Sequence, residues 1–214
     1  MIFDTNKYDF FKPLQSEWKT VRNELEAAMA DSFKSYKDER WSLLTLFKGF
    51  YDAEKRTKVV TLADGPPPKD EENCPKFPRT VELLESVPGL KSAGFSRFKA
   101  GFHATPHVGH GDNFVRCHLG LIVPEPDKCT LTVEGQTVHW EEGGLLMFDD
   151  SCLHEARNNG SQDRIVLIFD LFKEAIDKIF PLKDALVDKS VGEKMQGVKQ
   201  HARWYKSKMK QKLA

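Results

Sequence analysis

Two histidines and one arginine in the second half of the chain have residue types and spacing suited to metal and anion chemistry. His107 follows Pro106 at the mouth of a predicted strand, and His154 follows a turn at the end of another. Two neutral imidazoles that approach from two strands suit Fe(II) as ligands. Because the protein then supplies only part of the coordination shell, the metal keeps coordination positions for a bidentate oxoacid and O₂. Arg164 begins an apolar run, where a largely buried guanidinium needs an anion or a carbonyl as its partner. We therefore expect a metal site with an anion site beside it.

A predicted strand between these residues carries polar side chains on one of its faces. Alternation with period two over 115–123 places Arg116 and His118 on one face and apolar side chains on the other. The strand alone is also consistent with a structural sheet whose polar face meets solvent. Any single histidine of the seven is likewise more often a surface or core residue than a ligand. The succession of histidine, polar strand, histidine and buried arginine favours a site.

The elements that must position these residues are short strands. Between 94 and 172, short apolar runs alternate with Gly, Pro, Asn and Asp, a pattern typical of an antiparallel sandwich or barrel. The runs lie near residues 94–99, 115–123, 129–133, 136–140, 145–148 and 164–172. Elsewhere the sequence predicts helices over 16–30 and 78–87, a buried strand over 41–47, a loop over 64–73 and a helix after Phe172.

Length and charge limit the class of protein. A chain of 214 residues with 40% apolar content can bury one core, so we expect one domain over 1–214, with a barrel core at about 94–172 and helical flanks over 1–93 and 173–214. The 32 basic residues cancel the 32 acidic ones, which argues against a nucleic-acid or membrane-surface partner. The basic stretch 199–214 is then expected to be a solvated helix or a frayed terminus.

The sequence shows neither a membrane segment nor paired cysteines. No run reaches the roughly 18 apolar residues that a membrane helix requires, and the first residues lack the pattern of an export signal. The four cysteines are scattered without a CxxC pair, so neither a zinc ribbon nor a disulfide framework is indicated. We expect a soluble, cytoplasmic protein whose thiols are reduced and mostly buried.

Several segments resemble one known family. The matching segments are Thr105-Pro-His-Val-Gly109, Arg116-Cys-His-Leu-Gly-Leu-Ile-Val-Pro124, Trp140-Glu-Glu-Gly143, Leu146-Met-Phe-Asp-Asp-Ser151, His154-Glu155 and Arg164-Ile-Val-Leu-Ile-Phe-Asp170. They occur in family order over about half the chain, and the combination of RxHLGL with FDDSxxHE is specific. The sequence therefore resembles the aspartyl/asparaginyl β-hydroxylases, which are Fe(II)- and 2-oxoglutarate-dependent dioxygenases.

The resemblance implies a mainly β fold and an iron site. The expected fold is a double-stranded β-helix, a cupin-like jelly roll, with flanking N-terminal and C-terminal helices. His107 and His154 match the iron ligands of the family. Arg116 matches a residue of the pocket in which cosubstrate and substrate meet, and we count it with the two histidines among the catalytic residues.

The resemblance also implies a cosubstrate site. Arg164 matches the residue that pairs with the distal carboxylate of 2-oxoglutarate, and Ser96 matches a hydroxyl partner of the same carboxylate. His118 matches a further residue of this pocket. A dicarboxylic oxoacid that chelates iron through one end needs a fixed cation at the other, so the chemistry agrees with these roles. The implied cofactors are Fe(II), 2-oxoglutarate as cosubstrate, and O₂.

The third protein ligand of the iron is missing from its usual place. Gly109 stands where many relatives of this fold carry an aspartate or glutamate. Side chains in an Asp-Asp-Ser turn more often cap backbone donors, so we expect the nearby carboxylates to support the site rather than complete it. These carboxylates are Asp149, Asp150 and Glu155. Water is the simplest occupant of the third position, and Asp112 or His110 are alternatives.

The expected reaction is hydroxylation of an aliphatic C–H bond in an aspartyl/asparaginyl-like, small-molecule or acyl substrate. Peptide-hydroxylating members of the family carry a membrane anchor and a helical-repeat region that this sequence does not show, which favours a small or free substrate over a peptide. Two alternatives remain open. One is a non-catalytic cupin-like barrel that binds a ligand or a metal, and the other is a halogenase that uses the position beside Gly109. The sequence leaves the oligomeric state open.

Overall fold

Eleven strands and four α-helices make up the described part of the chain. The structure, a computed structural model, describes residues 1–29, 33–36, 38–49, 65–109 and 111–187. The strands are β1 (Ile2–Phe3), β2 (Lys34–Tyr36), β3 (Asp38–Phe47), β4 (Leu90–Phe98), β5 (His103–His107), β6 (Phe114–Ile122), β7 (Cys129–Val133), β8 (Gln136–His139), β9 (Leu145–Phe148), β10 (His154–Asn158) and β11 (Arg164–Phe172). The helices are α1 (Lys12–Ser16), α2 (Trp18–Ala28), α3 (Pro78–Glu85) and α4 (Lys173–Asp177). The basic stretch 199–214 lies outside the described residues.

The strands form two antiparallel sheets that share a core. The larger sheet has the order β1-β9-β6-β11-β4-β3-β2, and the smaller one β5-β10-β7-β8. Apolar side chains from the facing sides of both sheets pack together in one cluster, among them Phe98 and Val166 from the larger sheet and Leu131 and Ala156 from the smaller. The mainly β, cupin-like jelly roll with flanking helices is therefore confirmed.

The helices cover the outer face of the larger sheet. Val21 and Leu25 of α2 and Leu84 of α3 pack in a second cluster with the apolar side chains of the central strands. The central strand β11 is therefore buried along its whole length. Burial on both faces explains why its sequence, apart from Arg164 and Asp170, is a continuous apolar run rather than an alternating one.

Helix α2 also fixes the start of α3. The Glu24 carboxylate accepts hydrogen bonds from the backbone N–H groups of Arg79 (2.8 Å) and Thr80 (2.9 Å). These are donors in the first turn of α3, which have no partner within the helix. Pro78 occupies the first helical position, where its missing N–H is not needed. The predicted helix over 78–87 is confirmed with an end two residues earlier.

The six apolar runs predicted as strands all form strands, with bounds that differ by at most a few residues. Strands β5 and β10 were not among the predicted runs. The larger sheet also extends beyond the predicted core of 94–172, because β3 pairs with β4 over Trp41 to Phe47. The described part of the predicted loop, 65–73, is irregular and touches β3 through an isolated bridge between Lys69 and Phe47.

The described residues also bear on two expectations about chemistry and environment. The four cysteines are free and buried, as their scattered positions predicted. Within the described ranges, no helix has both the length and the apolar character needed to cross a bilayer.

Candidate active site

His107 and His154 lie against each other on two paired strands of the smaller sheet. His107 ends β5 and His154 begins β10, and the two residues are direct partners in the antiparallel register. Their ring centroids are 4.3 Å apart and the rings are inclined by 55°. The pair predicted from sequence is therefore brought together at one end of the barrel.

An irregularity in β5 turns His107 into the barrel. Ala104 pairs with Ala156 and His107 pairs with His154, so two residues of β5 lie opposite the single residue Glu155 of β10. Side chains alternate along a strand, and without the extra residue His107 would point outward with His103. The bulge moves His107 to the inward face of the strand, and bulges beside functional sites commonly redirect a side chain in this way.

Both imidazoles are held in the same tautomer. Nδ1 of His107 lies 2.7 Å from the carbonyl oxygen of Thr105, and Nδ1 of His154 lies 2.8 Å from that of Cys152. A carbonyl only accepts, so each Nδ1 carries the hydrogen and each Nε2 presents a lone pair. Burial, with the neighbouring His107 as the second cause, lowers the pKa of His154 to about 3. Backbone carbonyls that hold Nδ1–H in this way also orient many metal-ligating histidines in proteins.

Asp150 occupies the space that a side chain at Gly109 would need. A Cβ atom on Gly109 would lie 1.7 Å from Oδ2 of Asp150 and 2.7 Å from its backbone oxygen. Asp150 Oδ1 lies 3.5 Å from Nε2 of His154. Since His154 is neutral, this contact is not an ion pair. A carboxylate thus lies beside Gly109, where the sequence lacks the expected third ligand, although this carboxylate comes from the turn before β10 and not from β5.

The other carboxylates considered from sequence lie elsewhere. Asp149 accepts from Ser151 and from Lys173 Nζ (2.8 Å), so it caps the turn, as predicted for this segment. Glu155 faces outward and contacts His103 Nε2 at 2.7 Å. Asp112 is exposed, and His110 lies outside the described residues. Among the residues that the structure covers, no group of three or more histidine, cysteine or acidic side chains forms a complete metal site.

Arg116 is tied to two buried carboxylates. Its Nη1 lies 2.7 Å from Asp150 Oδ1, and its Nε and Nη2 lie 2.8 and 3.1 Å from the two oxygens of Asp170. Ser92 donates to the same Asp170 carboxylate (3.0 Å). Arg116 therefore fixes the orientation of Asp150, and Asp150 in turn contacts His154.

Arg164 is a buried cation with unsatisfied donors. Its side chain is 1% exposed, and neither Nε nor Nη1 has a hydrogen-bond partner in the described part of the chain. The guanidinium carbon lies 3.9 Å from the Phe98 ring centroid and 4.5 Å from that of Trp140. Burial lowers the pKa of Arg164 to about 9, so the group remains a cation at neutral pH.

Ser96 and His118, on the strands that flank β11, each accept a hydrogen bond from an indole. Ser96 is two residues from Phe98, the direct partner of Arg164 across β4 and β11, and its Oγ accepts from Trp41 Nε1 at 3.2 Å. His118 Nδ1 accepts from Trp140 Nε1 at 3.3 Å. Its Nε2 is buried and has no partner among the described residues.

Burial and a neighbouring positive charge determine the protonation state of His118. Burial, and then the charge of Arg164, keep the pKa of His118 well below 6.5. The ring is therefore neutral, and a neutral ring whose Nδ1 accepts must carry its hydrogen on Nε2. His118 Nε2–H and the Arg164 Nε and Nη1 groups are therefore buried donors without a partner among the described residues, and an anion could accept from them.

A sequence model of the family described as aspartyl/asparaginyl beta-hydroxylase matches residues 15–174 of this chain. The chain belongs to this family. It is 34% identical over 175 residues to an ornithine lipid ester-linked acyl 2-hydroxylase from Rhizobium tropici, covering 80% of this chain and 60% of that protein. It is 30% identical over 183 residues to the human aspartyl/asparaginyl beta-hydroxylase, covering 79% of this chain and 22% of that protein. The chain thus spans less than two thirds of the length of these relatives.

Solved structures with the same type of fold are more distant in sequence. HygX from Streptomyces hygroscopicus, solved with nickel and 2-oxoglutarate bound, has a TM-score of 0.46 and 12% identity and covers 74% of this chain and 78% of its own. The cupin domain of Cnp3 from Schizosaccharomyces pombe has a TM-score of 0.41 and 12% identity, with 71% and 75% covered.

Sequence reasoning missed three aromatic residues that contact the candidate site residues. Trp41 was recognised only as the start of a buried strand, and Trp140 only as part of a family motif. Phe98 was not singled out. The available signal was the isolated Arg164 in an apolar run, because a buried guanidinium is often flanked by aromatic rings. The pairing of β4 with β11 brings Phe98 to Arg164, and Trp140 comes from the segment between β8 and β9.

Proposed function

We propose that this chain is an Fe(II)- and 2-oxoglutarate-dependent hydroxylase. The observation that carries the proposal is the unsatisfied, buried guanidinium of Arg164 between Phe98 and Trp140. Each buried donor without a partner costs about 1–3 kcal/mol. A fold that keeps two such donors on one cation is best explained by an anionic ligand that satisfies them when it binds.

A dicarboxylic oxoacid would have a partner for each of its two ends. At the far end, Arg164 and Ser96 offer donors to a carboxylate, and an anion there replaces the solvent that the guanidinium has lost. At the near end, His107 and His154 present their Nε2 lone pairs from adjacent rings. An oxoacid held by the distal carboxylate would direct its keto acid end toward the metal that these two histidines would hold.

The two histidines would hold Fe(II), which with 2-oxoglutarate and O₂ supplies the oxidising power to place an oxygen atom in an aliphatic C–H bond. Asp150 and Arg116 act beside them. The Asp150 carboxylate, which fills the space of a Gly109 side chain and is oriented by Arg116, can accept a hydrogen bond from a water molecule that would bind the metal in place of a third protein ligand. These residues would hold a proton or a water molecule without contributing a third protein ligand.

The position of Asp150 favours hydroxylation over halogenation. A halide in the third position would lie next to the negative charge of Asp150, and like charges within a few ångströms in a poorly solvated site repel strongly. Water can instead donate a hydrogen bond to the same carboxylate. The metal position that lacks a protein ligand is thus better matched to water than to chloride.

The substrate class is proposed from the relatives and stays broad. One relative is named for the ester-linked acyl chain of an ornithine lipid and another for aspartyl/asparaginyl residues. We propose a substrate with an aliphatic C–H bond next to a carbonyl or a carboxylate, a feature that acyl chains and aspartyl groups share.

The proposal is tested by cosubstrate consumption. Purified protein with Fe(II) should give a weak visible absorption band when 2-oxoglutarate is added under argon, and should convert 2-oxoglutarate to succinate when air is admitted. Arg164→Met is the matched control, because it retains the bulk of the side chain and removes the cation. A wild-type protein that neither forms the band nor consumes 2-oxoglutarate would instead be a non-catalytic binding barrel. Mass spectrometry of lipid extracts and aspartyl peptides after turnover, with a gain of one oxygen atom as the signal, would then identify the substrate.

A further inference from the structure

The basic stretch 199–214 is part of a longer run of unbalanced charge, 194–214, which lies outside the described residues. Seven of the 32 basic residues of the chain and none of its 32 acidic residues fall in this run. The neutral net charge, which argued against a membrane-surface partner, therefore conceals a local excess of positive charge. Such clusters of basic residues are typical of segments that bind anionic polymers or anionic lipid surfaces.

Apolar residues in the same run recur at intervals of three and four. They are Met195, Val198, Ala202, Tyr205, Met209 and Leu213. On a helix this spacing places them along one face, with the basic residues beside and behind it. A helix with an apolar face and many lysines typically lies in the plane of a lipid surface, where that face is buried. A nucleic-acid backbone attracts the same lysines but does not require a continuous apolar face.

The described chain shows where this run leaves the fold. Val187 N donates to the Ile2 carbonyl oxygen (3.1 Å), and Leu186 forms an antiparallel bridge with Phe3. The segment that leads to the run therefore lies along the outer edge of β1. Lys194 follows Val187 by seven residues, which span at most about 25 Å. The basic run thus begins close to this edge of the larger sheet.

The β1 edge lies level with the candidate active site. Ile2 pairs with Phe148, and Phe148 pairs with Arg116, so the three residues lie side by side across β1, β9 and β6. Arg116 donates to Asp150, which in turn contacts His154 (3.5 Å). The chain therefore leaves the barrel at the end that holds the candidate metal ligands.

Two large apolar side chains on the segment before the run are more than half exposed. Ile179 is 52% exposed and Val187 is 53% exposed, and both follow α4. Single exposed apolar residues are common on protein surfaces. These two, however, add apolar area at the place from which the run leaves the fold. A lipid surface at this place would remove that area from water.

We propose that residues 194–214 bind an anionic phospholipid surface as a basic amphipathic helix and so place the active-site end of the barrel against that surface. Each basic residue near an anionic leaflet contributes about fivefold in affinity. The apolar face holds the helix in the interface. Binding of this kind needs neither metal nor cosubstrate, so it is independent of the proposed function.

Vesicle binding by the full, metal-free chain tests the contribution of charge. The protein should sediment with vesicles of phosphatidylcholine and phosphatidylglycerol, and not with vesicles of phosphatidylcholine alone. Replacing Lys206 and Lys210 together by Gln should weaken binding by about 25-fold. The matched control replaces Lys19 and Lys76, two exposed lysines outside the run, and should change the affinity by less than about twofold. Equal losses in both variants, or a wild-type protein that does not bind the anionic vesicles, would overturn the proposal.

A change to the apolar face separates a lipid surface from other polyanions. Met209→Gln keeps the charge and should weaken vesicle binding at least about tenfold, because it removes an apolar side chain from the interface. Ser207→Gln introduces the same side chain on the opposite face of the helix and should leave the affinity unchanged. Wild-type affinity in Met209→Gln would show that the run binds by charge alone, as it would bind a nucleic acid, and would overturn the proposal.

The orientation of the barrel is measured with two fluorescent labels. The four native cysteines are buried, so a thiol-reactive, polarity-sensitive dye should react with an added exposed cysteine in preference to them. Val187→Cys places the dye at the exit of the chain. Lys99→Cys places it at the opposite end of the barrel, because Lys99 follows Phe98, the partner of Arg164 at the start of β11.

Anionic vesicles should shift the emission of the dye at position 187 to shorter wavelength and leave the emission at position 99 unchanged. Any other pattern, in protein that sediments with the vesicles, would overturn the orientation that places the active-site end against the surface.

Discussion

The contact between Gly109 and Asp150 makes a prediction about stability that does not depend on any ligand. Gly109 has ordinary backbone angles, so only space excludes a side chain there. A Cβ atom would lie 2.3 Å from Cγ of Asp150 and 2.7 Å from its backbone oxygen, and the Gly109 N–H already donates to that oxygen (2.8 Å). Backbone must therefore move, and we expect Gly109→Ala to cost about 1–3 kcal/mol, the usual range for overpacking.

The source of this cost can be separated by a double-mutant cycle. Asp150→Ala removes the two nearest atoms but leaves the backbone oxygen, so Gly109→Ala should cost at least about 1 kcal/mol less in that background than in the wild type. Asp150→Ala by itself should be destabilising by about 3 kcal/mol, because it leaves Nη1 of Arg116 without this carboxylate.

Urea denaturation of the metal-free protein measures all four free energies of unfolding. A thermal scan provides a second readout, since about 1 kcal/mol corresponds to a shift of about 2–4 °C in Tm for a chain of this size. Equal costs of Gly109→Ala in the two backgrounds would refute the reasoning, because they would show that the Asp150 carboxylate does not fill the space beside Gly109.

Four further predictions follow from the site. His107→Ala and His154→Ala should each abolish turnover and most iron binding while circular dichroism stays near wild type; retained 2-oxoglutarate consumption in both would reject the metal assignment. Arg164→Met should raise KM for 2-oxoglutarate at least about tenfold. The free energy of unfolding should not decrease, because the substitution removes a buried cation with unpaired donors. An unchanged KM would show that Arg164 has a structural role. Bromide added to the turnover mixture should leave the product an alcohol, and a brominated product with its paired isotope signature would contradict the role given to water. Because His118 stays neutral in the folded state, the unfolded state binds more protons below about pH 6.5. The free energy of unfolding should therefore fall by up to about 1.4 kcal/mol for each pH unit as the pH decreases. His118→Gln should reduce this slope, and the same slope in wild type and variant would contradict the assignment.

Local patterns were sufficient for most of the scaffold. The alternation over 115–123 correctly placed Cys117 and Leu119 in the core and Arg116 and His118 on the opposite face, because a strand has only two faces and the apolar one must be buried. The continuous apolar run over 164–172 likewise predicted the strand β11 with its bounds. The types and order of the candidate site residues were also available from the chain alone.

The sequence predicted His107 at the mouth of a strand, but local patterns could not give the bounds or the pairing of that strand. Its residues, His103 to His107, include a proline and have no apolar alternation, and the bulge opposite Glu155 breaks the period that such predictions rely on. Whether His107 points inward depends on one extra residue in β5. The register of β5 against β10 determines on which face of the sheet the His107 side chain lies.

What the sequence by itself determined was the position of most strands along the chain, the mainly β class, and the set of histidines and arginines suited to metal and anion binding. Only the tertiary structure distinguished Asp150 from Asp149 and Glu155, because neighbouring residues in a turn look alike until the surrounding strands give each a direction. It also brought Trp41 to Ser96, which lies 55 residues away along the chain. Contacts of this kind depend on which strands pair and in which register, and both are set by the energy of the whole packed core rather than by any segment of it.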